Sequence, residues 1–203
     1  IYNETTGVIT NNKTLDNLKV GFDFEGKNIF QESSLSGISV SGIFGDLDLS
    51  KVNSDYLNDQ RNTGPKTHGD FNKIVLDFYH IHKFTDKINF KYYGSLQHAS
   101  KNLDSSEKFS LGGVSGIRAY PSGEASGDEG HKLSFEVQYD LSKPDMDFDL
   151  IGSLFYDYGK IRQYKNSSNI TLTTPNEYSF SGWGVSLDLI ANERVKLNLG
   201  WAQ

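Results

Sequence analysis

The sequence predicts an all-β chain of antiparallel strands, and an outer-membrane-type barrel ahead of a soluble β fold. Three observations carry this. Eight segments alternate apolar with polar or small residues, the period of a strand with one apolar face. Helix formers are scarce, with five Ala and one Met against 20 Gly, 13 Phe and 11 Tyr in 203 residues, a composition suited to pleated sheet. The connections between the segments alternate short and long.

The first segment sets Leu18, Val20, Phe22 and Phe24 against Lys19, Gly21, Asp23 and Glu25. The second carries Ile38, Val40 and Phe44 against Ser39 and Ser41. In the third, Ile74, Leu76 and Phe78 oppose Lys73, Val75, Asp77 and Tyr79. The fourth sets Ile88, Phe90 and Tyr92 against Asn89, Lys91 and Tyr93. The fifth is the cleanest, with Leu133, Phe135, Val137, Tyr139 and Leu141 against Ser134, Glu136, Gln138 and Asp140. The sixth has Phe148, Leu150, Leu154 and Tyr156 opposite Asp149, Ile151, Ser153, Phe155 and Asp157. The seventh sets Trp183, Val185, Leu187 and Leu189 against Gly182, Gly184, Ser186 and Asp188. The eighth sets Val195, Leu197, Leu199 and Trp201 against Arg194, Lys196 and Asn198. No segment predicts a long helix.

Alternation alone leaves the solvent of the apolar face open. A sandwich buries it against a second sheet, a lipocalin-like barrel turns it inward, and a membrane barrel turns it to lipid around a polar lumen. The connections favour the last. Gly26-Lys27-Asn28, Thr85-Asp86, Lys143 to Asp147 and Asn192-Glu193 are short. Asp48 to Gly69, the stretch leading to Lys132, and Lys160 to Glu177 are long. Soluble domains rarely use several long structureless loops, whereas membrane barrels place tight turns on one side and long loops on the other. Tyr79, Tyr92, Tyr139, Tyr156 and Trp201 suit interfacial girdles, although strand propensity explains them nearly as well.

Composition removes other classes. Without cysteine there is no disulfide scaffold, Cys zinc site or thiol nucleophile. A formal charge of -6 lacks the concentrated basic surface that nucleic acid requires. The mean hydropathy of -0.51 describes an average over two faces and polar loops. No stretch is long and apolar enough for a spanning helix. The chain opens on Ile1 with polar residues behind it, so no signal peptide is visible and a processed or excised piece is expected.

The connection before the fifth segment carries Gly112, Gly113, Gly116, Gly123, Gly127 and Gly130, with Arg118 and Tyr120 among them. Clustered glycines predict irregular, tightly folded backbone with positive φ angles. Read blandly, this is a solvated loop with an incidental arginine. Read sharply, it is a structured hairpin that needs Arg118 paired, and Asp157 on the polar face of the sixth segment is the candidate partner.

Phe109 to Leu141 resembles the most distinctive segment of the Omp85 superfamily. It is closest to the TpsB transporters of two-partner secretion, the hemolysin activation/secretion type. The family pattern of a Gly-Gly pair, Val-Arg-Gly-Tyr/Phe and Gly-Asp-x-Gly appears as Gly112-Gly113, Ile117-Arg118-Ala119-Tyr120 and Gly127-Asp128-Glu129-Gly130. A second family motif, Phe-x-Asp-x-Gly, matches Phe155-Tyr156-Asp157-Tyr158-Gly159. Ala119 stands where the family has glycine.

The resemblance implies that residues 1–203 are the C-terminal portion of a sixteen-stranded barrel, with the eight segments as strands eight to fifteen. POTRA domains and a final strand are then expected outside this sequence; closure of the eight strands on themselves is the alternative. It also implies that the glycine-rich loop folds into the lumen. Arg118 and Asp157 would latch it there, and Tyr120 would pack at its tip. The implied function is export of a large TpsA-type exoprotein, such as a hemolysin or adhesin, across a bacterial outer membrane. Partners would be that cargo, outer-membrane lipid and the barrel assembly machinery, with no nucleic acid and no cofactor. A BamA/TamA-like assembly factor is the near alternative, and a β-domain that only binds ligands the distant one.

Catalytic constellations are not evident. His80 and His82 share a strand face, but His98 lies too far along in hairpin register to complete a metal site. No nucleophile elbow surrounds Ser41 or Ser115, no Walker-type loop is present, and no helix follows the glycine-rich run to make a phosphate cradle. The expectation is a transporter, not an enzyme.

Overall fold

Every long strand pairs with its neighbour in sequence, because each hairpin connection carries turn residues and each strand carries the same two-sided pattern. The computed structural model describes residues 2–5, 8–191 and 195–203, with side chains from residue 12 onward. The strands are β1 (Thr14–Lys27), β2 (Ser34–Asp48), β3 (Gly69–Lys83), β4 (Ile88–Ala99), β5 (Glu129–Asp140), β6 (Phe148–Arg162), β7 (Glu177–Ala191) and β8 (Val195–Ala202). They form one eight-stranded antiparallel sheet in simple sequential order. Among the described residues, β1 and β8 do not pair with each other. A two-stranded ribbon, Tyr2–Thr5 with Val8–Asn12, precedes the sheet.

The eight predicted segments all exist, but the strands run longer. Gly26 and Lys27, expected in a turn, still pair with Ser36 and Leu35, so the first short connection is 28–33. The other short connections are 84–87 and 141–147. The expected Asn192-Glu193 turn and Arg194 lie outside the described residues. The long connections are 49–68, 100–128 and 163–176. The first contains an unforeseen short helix, α1 (Asn53–Gln60). Its polar, eight-residue sequence gives little periodic signal.

Register sorts the two faces. On the outer face the apolar residues predicted for β1 to β8 stand exposed or half-buried, the exposed ones including Leu18, Phe22, Phe44, Ile74, Leu154, Trp183 and Leu199. Exposure of this many large side chains in a continuous wall fits strands that face lipid. The burial lies instead on the polar face, where Leu111 and Ile117 of the long 100–128 connection pack with Phe109, Ala125 and Ile161. Aromatic rings lie across facing glycines: Phe78 covers Gly94 on the outer face, and Tyr79 covers Gly37 on the polar one. Tyr79 therefore does not join an interfacial girdle. Its hydroxyl donates to Glu25 across β2.

Candidate functional site

Backbone bonds shape the 111–125 hairpin before any side chain is considered. Leu111 N–H donates to Ala125, Ile117 N–H to Leu111, Gly113 N–H to Tyr120, Gly116 N–H to Gly113 and Tyr120 N–H to Ile117. The turn needs φ of +97° at Gly113 and +83° at Gly123, both easy for glycine. The other loop glycines serve close approach rather than positive φ. A side chain on Gly112 would strike the Pro121 carbonyl, and one on Gly127 the Arg162 carbonyl. Gly130 lies within β5, where a side chain would strike the Phe109 ring.

The tip delivers three consecutive residues to three sites on the polar wall. Arg118 meets Asp157 twice, Nε to Oδ2 at 2.9 Å and Nη2 to Oδ1 at 2.8 Å, and its backbone N–H adds a third bond to Oδ2 at 3.0 Å. Nη1 reaches Glu136 at 2.8 Å and Nη2 reaches Ser134 at 2.9 Å. Ser134 in turn donates to Asp157 Oδ1 at 2.7 Å. The guanidinium stacks 3.4 Å from the centre of the Phe155 ring. Ala119 packs over Gly182 of β7. Tyr120 stacks on Phe180, with ring centres 4.2 Å apart and planes within 10°.

Chemically, this is a bidentate, charge-assisted contact in a low-dielectric site. Asp157 is fully buried, and the Arg118 side chain is 22% exposed. Loss of Arg118 would strand the buried Asp157 carboxylate, which costs about 3–5 kcal/mol, whereas loss of Asp157 leaves Arg118 with Glu136 as its remaining carboxylate. The Phe155-Tyr156-Asp157-Tyr158-Gly159 run supplies three of the contacts by alternation. Phe155 stacks, Asp157 pairs, and Gly159 leaves room for Leu111 and Ile117.

A second cluster ties the long connections together beyond the sheet. Asp128 is fully buried and accepts from the Leu103 amide at 3.1 Å, the Lys165 amide at 2.8 Å and Lys108 Nζ at 2.7 Å. Asn102 donates to the Pro65 and Asn166 carbonyls at 2.6 and 2.9 Å, while its Oδ1 accepts the Asn166 amide. Within the 49–68 connection, burial pushes the Asp59 carboxyl up. Bonds from the His68 and Thr67 amides, the Thr67 hydroxyl and Gln60 outweigh this and hold it below the ordinary carboxylate range.

The family model described as "Haemolysin secretion/activation protein ShlB/FhaC/HecB" matches residues 41–189. The chain belongs to this family. Its relatives include "Heme/hemopexin transporter protein HuxB" of Haemophilus influenzae strain 86-028NP, 31% identical over 191 residues that cover 94% of this chain and 33% of the relative. Another HuxB of Haemophilus influenzae is 33% identical over 165 residues, covering 81% of this chain and 28% of that protein. The solved structure of CdiB from Escherichia coli superposes with a TM-score of 0.73 at 16% identity, over 97% of this chain and 34% of that one. The chain thus spans about a third of the length of these relatives, and the likeness to CdiB concerns the fold. The sheet is a set of antiparallel transmembrane β-barrel strands of the TpsB type within the Omp85 superfamily.

With the family assigned, each predicted site residue has its place. Arg118, Asp157 and Tyr120 come together on the polar wall. Gly112 and Gly113 shape the hairpin, and Gly127 and Gly130 lie at its return into β5. Ser134, Glu136 and Gly182 stood on polar strand faces in the sequence, but their contacts with the loop were not foreseen. Ser134 and Glu136 stand on the polar side of β5, facing β6, and antiparallel register would have paired Ser134 with Asp157. The tip's landing on β7 had no sequence signal beyond the two glycines, Gly182 and Gly184, on that strand's polar face. His80 and His82 stack with ring centres 6.4 Å apart on the outer face, and His98 pairs with Glu129 instead. Among the described residues no group of His, Asp or Glu is arranged to hold a metal ion.

Proposed function

We propose that this chain is the C-terminal part of an outer-membrane translocation pore that exports a large TpsA-type exoprotein in two-partner secretion. The observation that carries the reading is the family match over residues 41–189; relatives described as transporters support transport over catalysis. The eight strands are one side of a larger barrel in a bacterial outer membrane, with 28–33, 84–87 and 141–147 in the periplasm and the long connections outside. The POTRA domains belong to sequence beyond this chain.

In this reading Arg118 and Asp157 form a structural latch for the loop that occupies the lumen, with Tyr120 on Phe180 as its second anchor. The water-filled path runs along polar side chains that include Lys73, Asp77, Lys91, Glu136, Gln138, Asp149 and Lys196. No nucleotide is available outside the inner membrane, so cargo folding at the cell surface supplies direction. Outer-membrane lipid and the barrel assembly machinery are the remaining partners.

The test is deletion of the full-length gene, followed by measurement of two things: release of large exoproteins, and the amounts of other outer-membrane barrels. Loss of one exoprotein with unchanged barrels is expected. A general fall in barrels with normal exoprotein release would favour an assembly factor of the BamA/TamA type instead.

A further inference from the structure

The outer wall ends sharply in charge at the level where the long connections begin. Along β6 the outward residues Phe148, Leu150, Gly152, Leu154, Tyr156 and Tyr158 carry no charge, and the next two are Lys160 and Arg162. Eleven residues at roughly 3.3 Å each, tilted by about 40°, make a band about 25 Å tall, the height of a barrel's lipid-facing belt. Neighbouring strands break at corresponding positions. Leu133 gives way to His131 and Glu129 on β5, and Leu96 to His98 on β4. Phe44 gives way to Asp46 on β2, and Leu18 to Asp16 on β1.

This rim is divided by sign. Asp16, Asp46 and Asp70 stand directly opposite one another across β1, β2 and β3. From β4 to β7 the rim is a ladder of ion pairs. Lys160 meets Glu177 at 2.8 Å, Arg162 meets Glu177 at 2.6 Å and Glu129 at 3.1 Å, Lys165 meets Glu129 at 2.6 Å, and His98 Nδ1 lies 2.6 Å from Glu129. Three fixed cations share two carboxylates here, with His98 and His131 beside them. Lys160, Arg162, His98, His131 and the two glutamates line a shallow groove of about 410 Å³ beside Leu96.

We propose that this ladder is a binding site for the phosphorylated headgroup of an outer-leaflet glycolipid, whose acyl chains lie on the apolar band below. Single exposed ion pairs add little to stability, and a network such as this adds more. Its place at the band's edge and its geometry also suit a phosphate. The two glutamates hold Lys160 and Arg162 in place at headgroup depth, and both cations keep N–H donors unused by those carboxylates. Arg and Lys at this depth attract anionic headgroups, and Arg presents a planar fork that matches phosphate. The aspartate half of the rim repels the same group, which confines it to β4–β7. The proposal rests on the outer-membrane orientation above.

The test uses the full-length protein in detergent with diphosphorylated lipid A, dephosphorylated lipid A or inorganic phosphate as probes, read by native mass spectrometry. Wild type is expected to retain diphosphorylated lipid A. Lys160→Gln with Arg162→Gln should lower retention about tenfold or more, while Lys160→Arg with Arg162→Lys keeps most of it. Asp46→Asn with Asp70→Asn should not lower it. Equal retention by the Gln double variant, equal retention of the dephosphorylated lipid, or capture of inorganic phosphate alone would overturn the proposal. Should the Gln double variant lose the heat-dependent gel shift of a folded barrel, the charge-preserving variant decides, since loss of retention there without unfolding also contradicts a cation-held headgroup. Surface labelling of Asn169→Cys in intact cells checks the orientation separately, so failure of that reading is distinguishable from failure to bind lipid.

Discussion

The methyl group of Ala119 occupies the space that a side chain on Gly182 would need, since a Cβ built there would lie 2.4 Å from it. The loop tip departs from its family's pattern by one methyl, and the wall opposite has none. Seating therefore depends on the pair rather than on either residue.

Gly182→Ala is expected to lift the tip, at a cost of about 1–3 kcal/mol for an overpacked contact. Adding Ala119→Gly should recover most of that loss. A double-mutant cycle on protease protection of 111–125 measures it. Equal protection in wild type and Gly182→Ala would mean the contact carries no weight.

Asp128 is the shared acceptor of two connections. Asp128→Ala leaves the Leu103 and Lys165 amides and Lys108 without it, a loss of roughly 3–5 kcal/mol for an unpaired buried cation. Hydrogen exchange should then rise in both 100–108 and 163–169. A rise confined to one of them would show that the carboxylate does not join the two.

Acid should loosen the 49–68 connection late. The Asp59 carboxyl is held below its ordinary value in the fold, so its stabilising contribution is complete above the unfolded pKa of about 3.9. It is lost as pH falls through the lower folded value. Protection factors of the Thr67 and His68 amides should stay level from about pH 6 to pH 4 and fall below that. Asp59→Asn should lower them at pH 6 and remove most of the acid-dependent fall. An unchanged acid profile in that variant would assign the transition to another group.

Alternation made the strands and their two faces legible, because side chains on a strand point to opposite sides whatever solvent each side meets. The strand ends were less legible. Gly26 and Lys27 read as a turn on composition, yet hairpin pairing with Leu35 and Ser36 continues through them. Arg118 and Asp157 were legible because a lone arginine in a glycine-rich loop faced a carboxylate on a patterned strand. Phe180 and Gly182 were not, since contact between a loop and a strand two connections away leaves no periodic trace, and Ser134 became legible only once β5 and β6 were aligned. The same holds for Asn102 and Asp128, whose partners lie on separate connections.

The most direct test of the account is a cycle of Arg118→Ala, Asp157→Ala and the double variant in the full-length protein. Exoprotein secretion and protease protection of the loop are measured together on folded barrels. The account predicts that each single variant loses both properties and that the double is little worse than either, since the two residues act through one contact. Arg118→Lys, which cannot reproduce the bidentate geometry, should fall between. Wild-type secretion and wild-type protection in Arg118→Ala would contradict it.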